Sequence, residues 1–410
     1  MSFYKFGEIV LTVPQKIVYY ALLVFAFTVP LTHVPVQFAI IFMLWGWVAQ
    51  GVLFKQWEFR SHIFYLPFLF YLLWNIVSAL LCERTLHSLG RIMNHEWPSL
   101  IMLFMFWTIT KKKTLILMVE IFLIVTALAS VYALWQTFSG YEIHRGFLLA
   151  SAGGIFYRSV GFYGFYLTFG LLAMTGFFIS AALLIERAEH FFHYYYVVVP
   201  LLCFLAVLST FARSIWLAMT LMIPFSGFLR NRKTGWTVTI GSISIICILL
   251  VSSASIRERA FSMFVPSENG TRIALWQTSV NSIEHNPIFG LGEDNFEIAF
   301  ERYHVPGFYD TQAHPHNDYL NIAVASGLPG LLAFVSLWVI ALSVGFKTWR
   351  KSKDPFLKGI SLGASISLFG FMIACLFQDY YGTFINCWLW WFVTGMIFTA
   401  YALEEKVPVV

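Results

Sequence analysis

Charge is what this 410-residue chain has least of. Only 11% of its residues are Asp, Glu, Lys or Arg, against roughly a quarter in a soluble domain, and that scarcity excludes a soluble globular protein. Cysteine is also rare. Cys82, Cys203, Cys247, Cys375 and Cys387 lie in or at the edges of apolar segments, with no CxxC or Cys/His spacing, so they read as small core residues rather than a disulfide framework or a zinc site. No HExxH pair and no GxSxG elbow are expected, and no exposed cysteine, which sets covalent catalysis behind other chemistries. The net charge of +5 comes without a basic patch interleaved with aromatics, so no nucleic-acid partner is expected. The first apolar run has no small-residue cleavage site and is not read as a signal peptide.

What the chain has in abundance is apolar surface: 59% hydrophobic residues, 43 Phe, 15 Trp and a mean hydropathy of +0.73. A spanning helix needs about 20 apolar residues. Twelve runs qualify as candidates, at 16–32, 34–53, 62–82, 98–110, 114–137, 158–185, 194–209, 214–230, 234–254, 318–345, 357–377 and 382–403; the fourth and seventh are short. The runs are long and do not alternate, so the expected fold is an all-α polytopic membrane protein, not a barrel. It divides into helices 1–9 (1–254), a loop (255–317) and helices 10–12 (318–410), forming one integrated domain. With the N-terminus inside, the inner segments hold 17 Lys and Arg and the outer ones 9, four of them in the long loop. Lysine and arginine favour the cytoplasmic side, so both termini are expected inside and the loop outside. Every lysine then lies inside, and every outer cation is an arginine.

The loop is patterned. "GTRIALWQTSVNSIEHNP" places Ile273, Trp276, Val280 and Ile283 at helical spacing, with Thr271 as a cap and Pro287 and Gly290 as the stop. "EDNFEIAFERY" suggests a second short helix. Arg213, in "LSTFARSIWLAM", has no Asp or Glu near it from 190 to 256. It either snorkels to the interface or meets an anion brought from elsewhere. Arg158, in "GIFYRSVGFYG", is similar. Arg272 opens the loop helix, where it either pairs with Glu268 or helps a helix N-terminus bind phosphate. Three outer arginines suit one polyanion, because guanidinium forks grip phosphate bidentately. An outer-leaflet lipid diphosphate is the natural partner.

"AHPHNDYLNIAVASGLPGLL", residues 313–332, sets His314, His316, Asn317 and Asp318 before an apolar span. A neutral His316 suits a general base for a hydroxyl. A metal site is the weaker reading, since zinc wants at least three protein ligands. A helix cap with interfacial water is the plain alternative. "SGLPG" suggests a bend in the span. Asp379, in "CLFQDYYGTF", can orient His316, pair with an arginine, or stand as an interfacial acid.

Taken in order, "YRSVGFYG", "LSTFARSIW", "GTRIALWQTSVNSIEHNPIFGLGEDNF" and "HPHNDYL…ASGLPGLLAF" resemble the O-antigen ligase family, across roughly 155–385. This superfamily also includes O-antigen polymerases and protein O-oligosaccharyltransferases. The resemblance implies an inverting, metal-independent glycosyl transfer at the periplasmic face of a bacterial inner membrane, with no cofactor. The donor would be a glycan on undecaprenyl diphosphate, the acceptor a lipid A–core sugar hydroxyl, with membrane lipids around both. By motif position, Arg213 and Arg272 would hold the diphosphate and Arg158 would assist. His316 would be the base, Asp379 a second catalytic acid, and His314 and Asn317 would support the site. The chain stops soon after its last span, which favours a ligase or polymerase over a protein-transferring member. A lipid-linked-glycan transporter is the remaining alternative; charges confined to the span ends weigh against it.

Overall fold

A computed structural model describes residues 11–188, 195–265, 269–307, 309 and 314–409. Lys5, one of the 17 inner cations, Glu268 and Ala313, and the first residue of the 194–209 run lie outside the described residues. The chain runs α1 (Val13–Thr28), α2 (Val34–Phe54), α3 (Tyr65–Leu81), α4 (Thr85–Glu96), α5 (Leu100–Thr108) and α6 (Lys112–Ser139). Two small antiparallel hairpins follow, β1 (Tyr141–Glu142) with β2 (Phe147–Leu148) and β3 (Ser151–Gly153) with β4 (Phe156–Tyr157). Then come α7 (Tyr166–Ile185), α8 (Tyr195–Ser209), α9 (Arg213–Arg230), α10 (Arg232–Ser252), α11 (Ala254–Phe261), α12 (Gly270–His285) and α13 (Phe296–Tyr303). The chain closes with α14 (Asp318–Lys351), α15 (Pro355–Ala374) and α16 (Phe384–Glu404).

Each of the twelve apolar runs contains a helix, but in the run at 158–185 the stretch 158–165 is a turn and α7 begins only at Tyr166. Seven (α2, α6, α7, α10, α14, α15 and α16) are long and apolar enough to cross a membrane, and α1, α3 and α8 are shorter apolar helices. The protein is a multi-pass, all-α membrane protein. The run at 98–110 gives only the nine-residue α5. At about 14 Å it covers half of a hydrocarbon core of about 30 Å. It ends where Arg60, buried, turns its guanidinium onto the carbonyls of Phe106 and Ile109 and caps the helix. The centre is built from α7, α15 and α16, which are mostly buried. There Trp338, Trp390 and Trp391 interlock, with Trp338 and Trp390 ring centroids 4.1 Å apart. At the other extreme, α10 packs chiefly on α9 and α11 and leaves nearly all its surface outward. Gly227 and Gly235 let α9 and α10 meet closely.

The bend expected from "SGLPG" is present. Gly327 takes φ 69°, ψ −177° inside α14, a conformation open to glycine. A Cβ there would lie 2.1 Å from the Ile288 carbonyl oxygen. The break turns backbone carbonyls outward, and each finds a donor. Leu291 N–H donates to Val324 O and Gly292 N–H to Ala325 O, both at 2.8 Å. Trp74 Nε1 donates to Ser326 O at 2.8 Å. Buried carbonyls need such partners, so the break stitches the loop of residues 287–295 onto α14.

Candidate active site

The site is assembled from four connections. Ser159 N–H donates to Ser209 O (3.0 Å) and the two hydroxyls meet at 2.6 Å. That joins the turn before α7 to the end of α8, and so brings Arg158 towards Arg213, the first residue of α9. Ser255 Oγ donates to Gly153 O (2.8 Å) and ties α11 to the β3–β4 hairpin. The Ser214 and Tyr380 hydroxyls meet at 2.8 Å, linking α9 to the turn after α15. Trp276 Nε1 donates to Pro315 O (2.9 Å), so α12 holds the histidine loop.

Within this frame four arginines gather, one more than the sequence indicated. Arg213 donates to Ser262 O (2.9 Å) and Oγ (3.1 Å). Arg259, on α11, donates through Nε to Phe211 O (3.1 Å). Its own carbonyl accepts from Ser262 Oγ (2.8 Å), so one serine ties the Arg213 side chain to the backbone of α11 at Arg259. Burial, then the guanidiniums of Arg158 and Arg213, and then that of Arg272, push Arg259 down to about 10, with Tyr166 acting in the opposite sense. The Arg158 guanidinium lies 5.3 Å over the Tyr166 ring, a cation–π contact, and its Nε is buried without a hydrogen-bond partner. No carboxylate among the described residues forms an ion pair with Arg158 or Arg259. Arg272 reaches Gln378 Oε1 at 3.4 Å. Sequence reasoning counted Arg259 as one outer cation among nine; no local motif marked it.

His316 lies against the other side of Gln378. It has φ 52°, an uncommon left-handed geometry for a side-chain-bearing residue. Its Nδ1 is buried without a partner. Burial first, then His314 and Arg272, hold the imidazole down to about 4, with Asp379 and Gln378 opposing. It is therefore neutral at neutral pH, as a base must be. The His314 ring packs edge-on against it at 4.4 Å. Asp379 Oδ2 is 3.9 Å from His314 Nδ1, and Asn321 Nδ2 donates to Oδ1 at 3.5 Å. Asp379 thus contacts His314 rather than an arginine. Asn317 caps α14 by accepting from Leu320 N–H (3.1 Å) and donates to Leu376 O (3.1 Å). Asp318 is buried and takes the backbone N–H groups of Tyr380, Tyr381 and Gly382 at 2.8–2.9 Å. Both residues fix the histidine loop against the turn that carries Gln378 and Asp379.

Glu293, also missed, stands beyond Asp379. Burial, Glu96, Asp294 and Asp379 raise it to about 7, against His95. Its loop is fastened to α4 by Ser88 Oγ donating to Glu293 O (3.0 Å) and by Asn295 Nδ2 donating to Ser88 Oγ (2.9 Å). The site is therefore polarised: cations at one end, carboxylates at the other, a neutral imidazole between. One motif statement needs correction. A GxSxG spacing does occur, at Gly359–Gly363, but Ser361 is buried inside α15, not on the strand–turn–helix corner that activates such a serine.

A multi-pass helical body thus carries an arginine-rich polar site beside the broken α14. Residues 198–335 match the family model described as O-antigen ligase. That third of the chain supports the O-antigen ligase family, the resemblance read from its motifs. Members are glycosyltransferase-like enzymes, and the family suggests lipid-linked glycan substrates. The match contains Arg213, Arg259, Arg272, Glu293 and His316, and leaves Arg158 and Asp379 outside. No curated protein matches the chain.

Proposed function

We propose that this protein is an inverting, metal-independent glycosyltransferase that moves a glycan from undecaprenyl diphosphate to a sugar hydroxyl of lipid A–core, an O-antigen ligase. It would act at the periplasmic face of a bacterial inner membrane, with both termini in the cytoplasm. One observation carries the reading: four guanidiniums gather beside an imidazole that is kept neutral. The acceptor oxygen attacks the anomeric carbon, its proton passes to His316, and the carbon–oxygen bond to phosphate breaks. The departing diphosphate gains negative charge, and Arg158, Arg213, Arg259 and Arg272 stabilise it. Inversion puts nucleophile and leaving group on opposite faces of the sugar. The acceptor therefore belongs on the carboxylate side, near Asp379. Donor binding has a second effect: its negative charge offsets Arg272, which depresses His316, so the base strengthens once the donor is seated.

The test is transfer of purified lipid-linked glycan to lipid A–core by the protein in detergent. His316→Ala should lose at least about a hundredfold, the usual scale of a general base, with an unchanged melting curve. Near-normal transfer would remove His316 from this role. Glycan growing on the lipid carrier, with the core left bare, would make the protein a polymerase. Activity lost to a strong chelator and restored by metal would overturn the metal-free route.

A further inference from the structure

A second recess, with a volume of about 790 Å³, lies at the far end of α14, roughly 40 Å along the helix from His316 at about 1.5 Å per residue. Its lining changes character along α14. Towards the end of the helix stand Lys347, Arg350 and Lys351. Glu405 is the only carboxylate in the lining, and it is paired with Lys351 at 2.6 Å. Neither Lys347 nor Arg350 has an ion-pair partner among the described residues. Earlier on the same helix the lining is apolar, with Ile340 and Val344, joined by Ile63 and by Tyr401 of α16. Ile63 is 67% exposed and the adjacent Val339 53%, and on a multi-pass protein such outward apolar surface faces acyl chains. The sequence assigns this end of the helices to the lysine-bearing face.

A pocket with two unmatched cations towards one end and apolar lining towards the other fits an amphiphile with an anionic head. We propose that it binds an anionic phospholipid, the headgroup phosphate on Lys347 and Arg350 and the acyl chains along Ile63 and Ile340. Basic pockets between membrane helices bind such headgroups by the same attraction. A soluble phosphate would use the cations and leave the apolar wall idle, so lipid is the better fit.

Native mass spectrometry of the detergent-purified protein tests this, with cardiolipin, phosphatidylcholine or glycerol phosphate added separately. Cardiolipin should remain bound, while the other two should not. K347Q/R350Q should weaken its retention on the order of thirtyfold, from two lost surface attractions of ordinary size. A thermal melt in neutral lipid, matching wild type, shows that the variant is folded; if it does not match, K347Q and R350Q are read singly. Equal retention of phosphatidylcholine, or full retention of cardiolipin by the folded variants, would overturn the proposal. Tight binding of glycerol phosphate would make this a free-phosphate site and overturn the lipid assignment. Binding is read directly, so neither result depends on the transferase reaction.

Discussion

If His316 is the base, its protonation should set the acid limb of the reaction, and Arg272 should control where that limb falls. Both side chains reach Gln378, which puts the two charges roughly 7 Å apart; at an effective dielectric of about 20 they repel by about 2 kcal/mol. Removing that repulsion with Arg272→Gln should raise the His316 pKa from about 4 by roughly one to two units. The sign is fixed. The imidazole works when neutral, and activity is lost as pH falls through its pKa, so raising the pKa moves the loss to higher pH. The assay is kcat/KM for glycan transfer from pH 4 to 8, because kcat/KM reports groups on the free enzyme. The variant will also be slower at every pH, having lost a diphosphate ligand, so position and height of the profile are read separately. A lower curve with an unmoved acid limb would mean that Arg272 binds the donor but does not tune the histidine. A limb displaced to lower pH would refute the electrostatic account altogether.

Three further outcomes follow from the same geometry. Arg213→Lys should cut transfer by about a hundredfold or more, because a single ammonium replaces a planar fork; full activity would reduce Arg213 to an anchor of Ser262. Glu293→Gln should melt higher than wild type at pH 8 and about the same at pH 5. A carboxyl raised to about 7 loses stability as pH climbs from its ordinary value through 7, by about 1–2 kcal/mol once solvent screening of a half-buried group is allowed for. An equal difference at both pH values would rule out titration as its cause. Gly327→Ala should destabilise by about 2 kcal/mol or more, from a left-handed backbone and a Cβ pressed on the Ile288 carbonyl; an unchanged melting curve would show that α14 can straighten at no cost.

The sequence made the apolar helices legible because each run carries its own length and composition. It also showed the bend, since Gly327 and Pro329 mark it locally. It did not show α4, whose sequence is largely polar and whose buried face is only Ser88, Ile92 and Glu96, nor the eight-residue α11. The helix at α12 was expected, but its apolar stripe turns only partly inward: Trp276 and Ile283 are half-buried, Ile283 against the core. Ile273 and Val280 are exposed, and the buried residues are Leu275, Thr278, Ser279 and Ser282. Its N-cap is Asn269, not Thr271. Buried Thr278 and Ser279 return their hydroxyls to the carbonyls of Ala274 and Leu275, so an apolar-stripe reading misses them. Arg158 and Arg213 were found by residue type and distance from acids in the sequence, Arg272 by its place at a helix start, and His316 by its place before an apolar span. Arg259, Gln378 and Glu293 were not, because their significance lies in the contacts that bring α11, the turn after α15 and the 287–295 loop together.

The position of α10 has a consequence for traffic. This helix has one helical neighbour of its own length, α9, and its remaining surface faces outward. It is followed directly by α11, which carries Arg259. On the function proposed above, the membrane itself would be the opposite wall of that side of the site. A lipid-linked donor with its charged head on the arginines would keep its tail among the acyl chains while it enters and leaves. Its search would then be two-dimensional, with no need of a tunnel long enough to swallow the tail. Arg259 would meet the incoming charge from the post at the edge of that doorway.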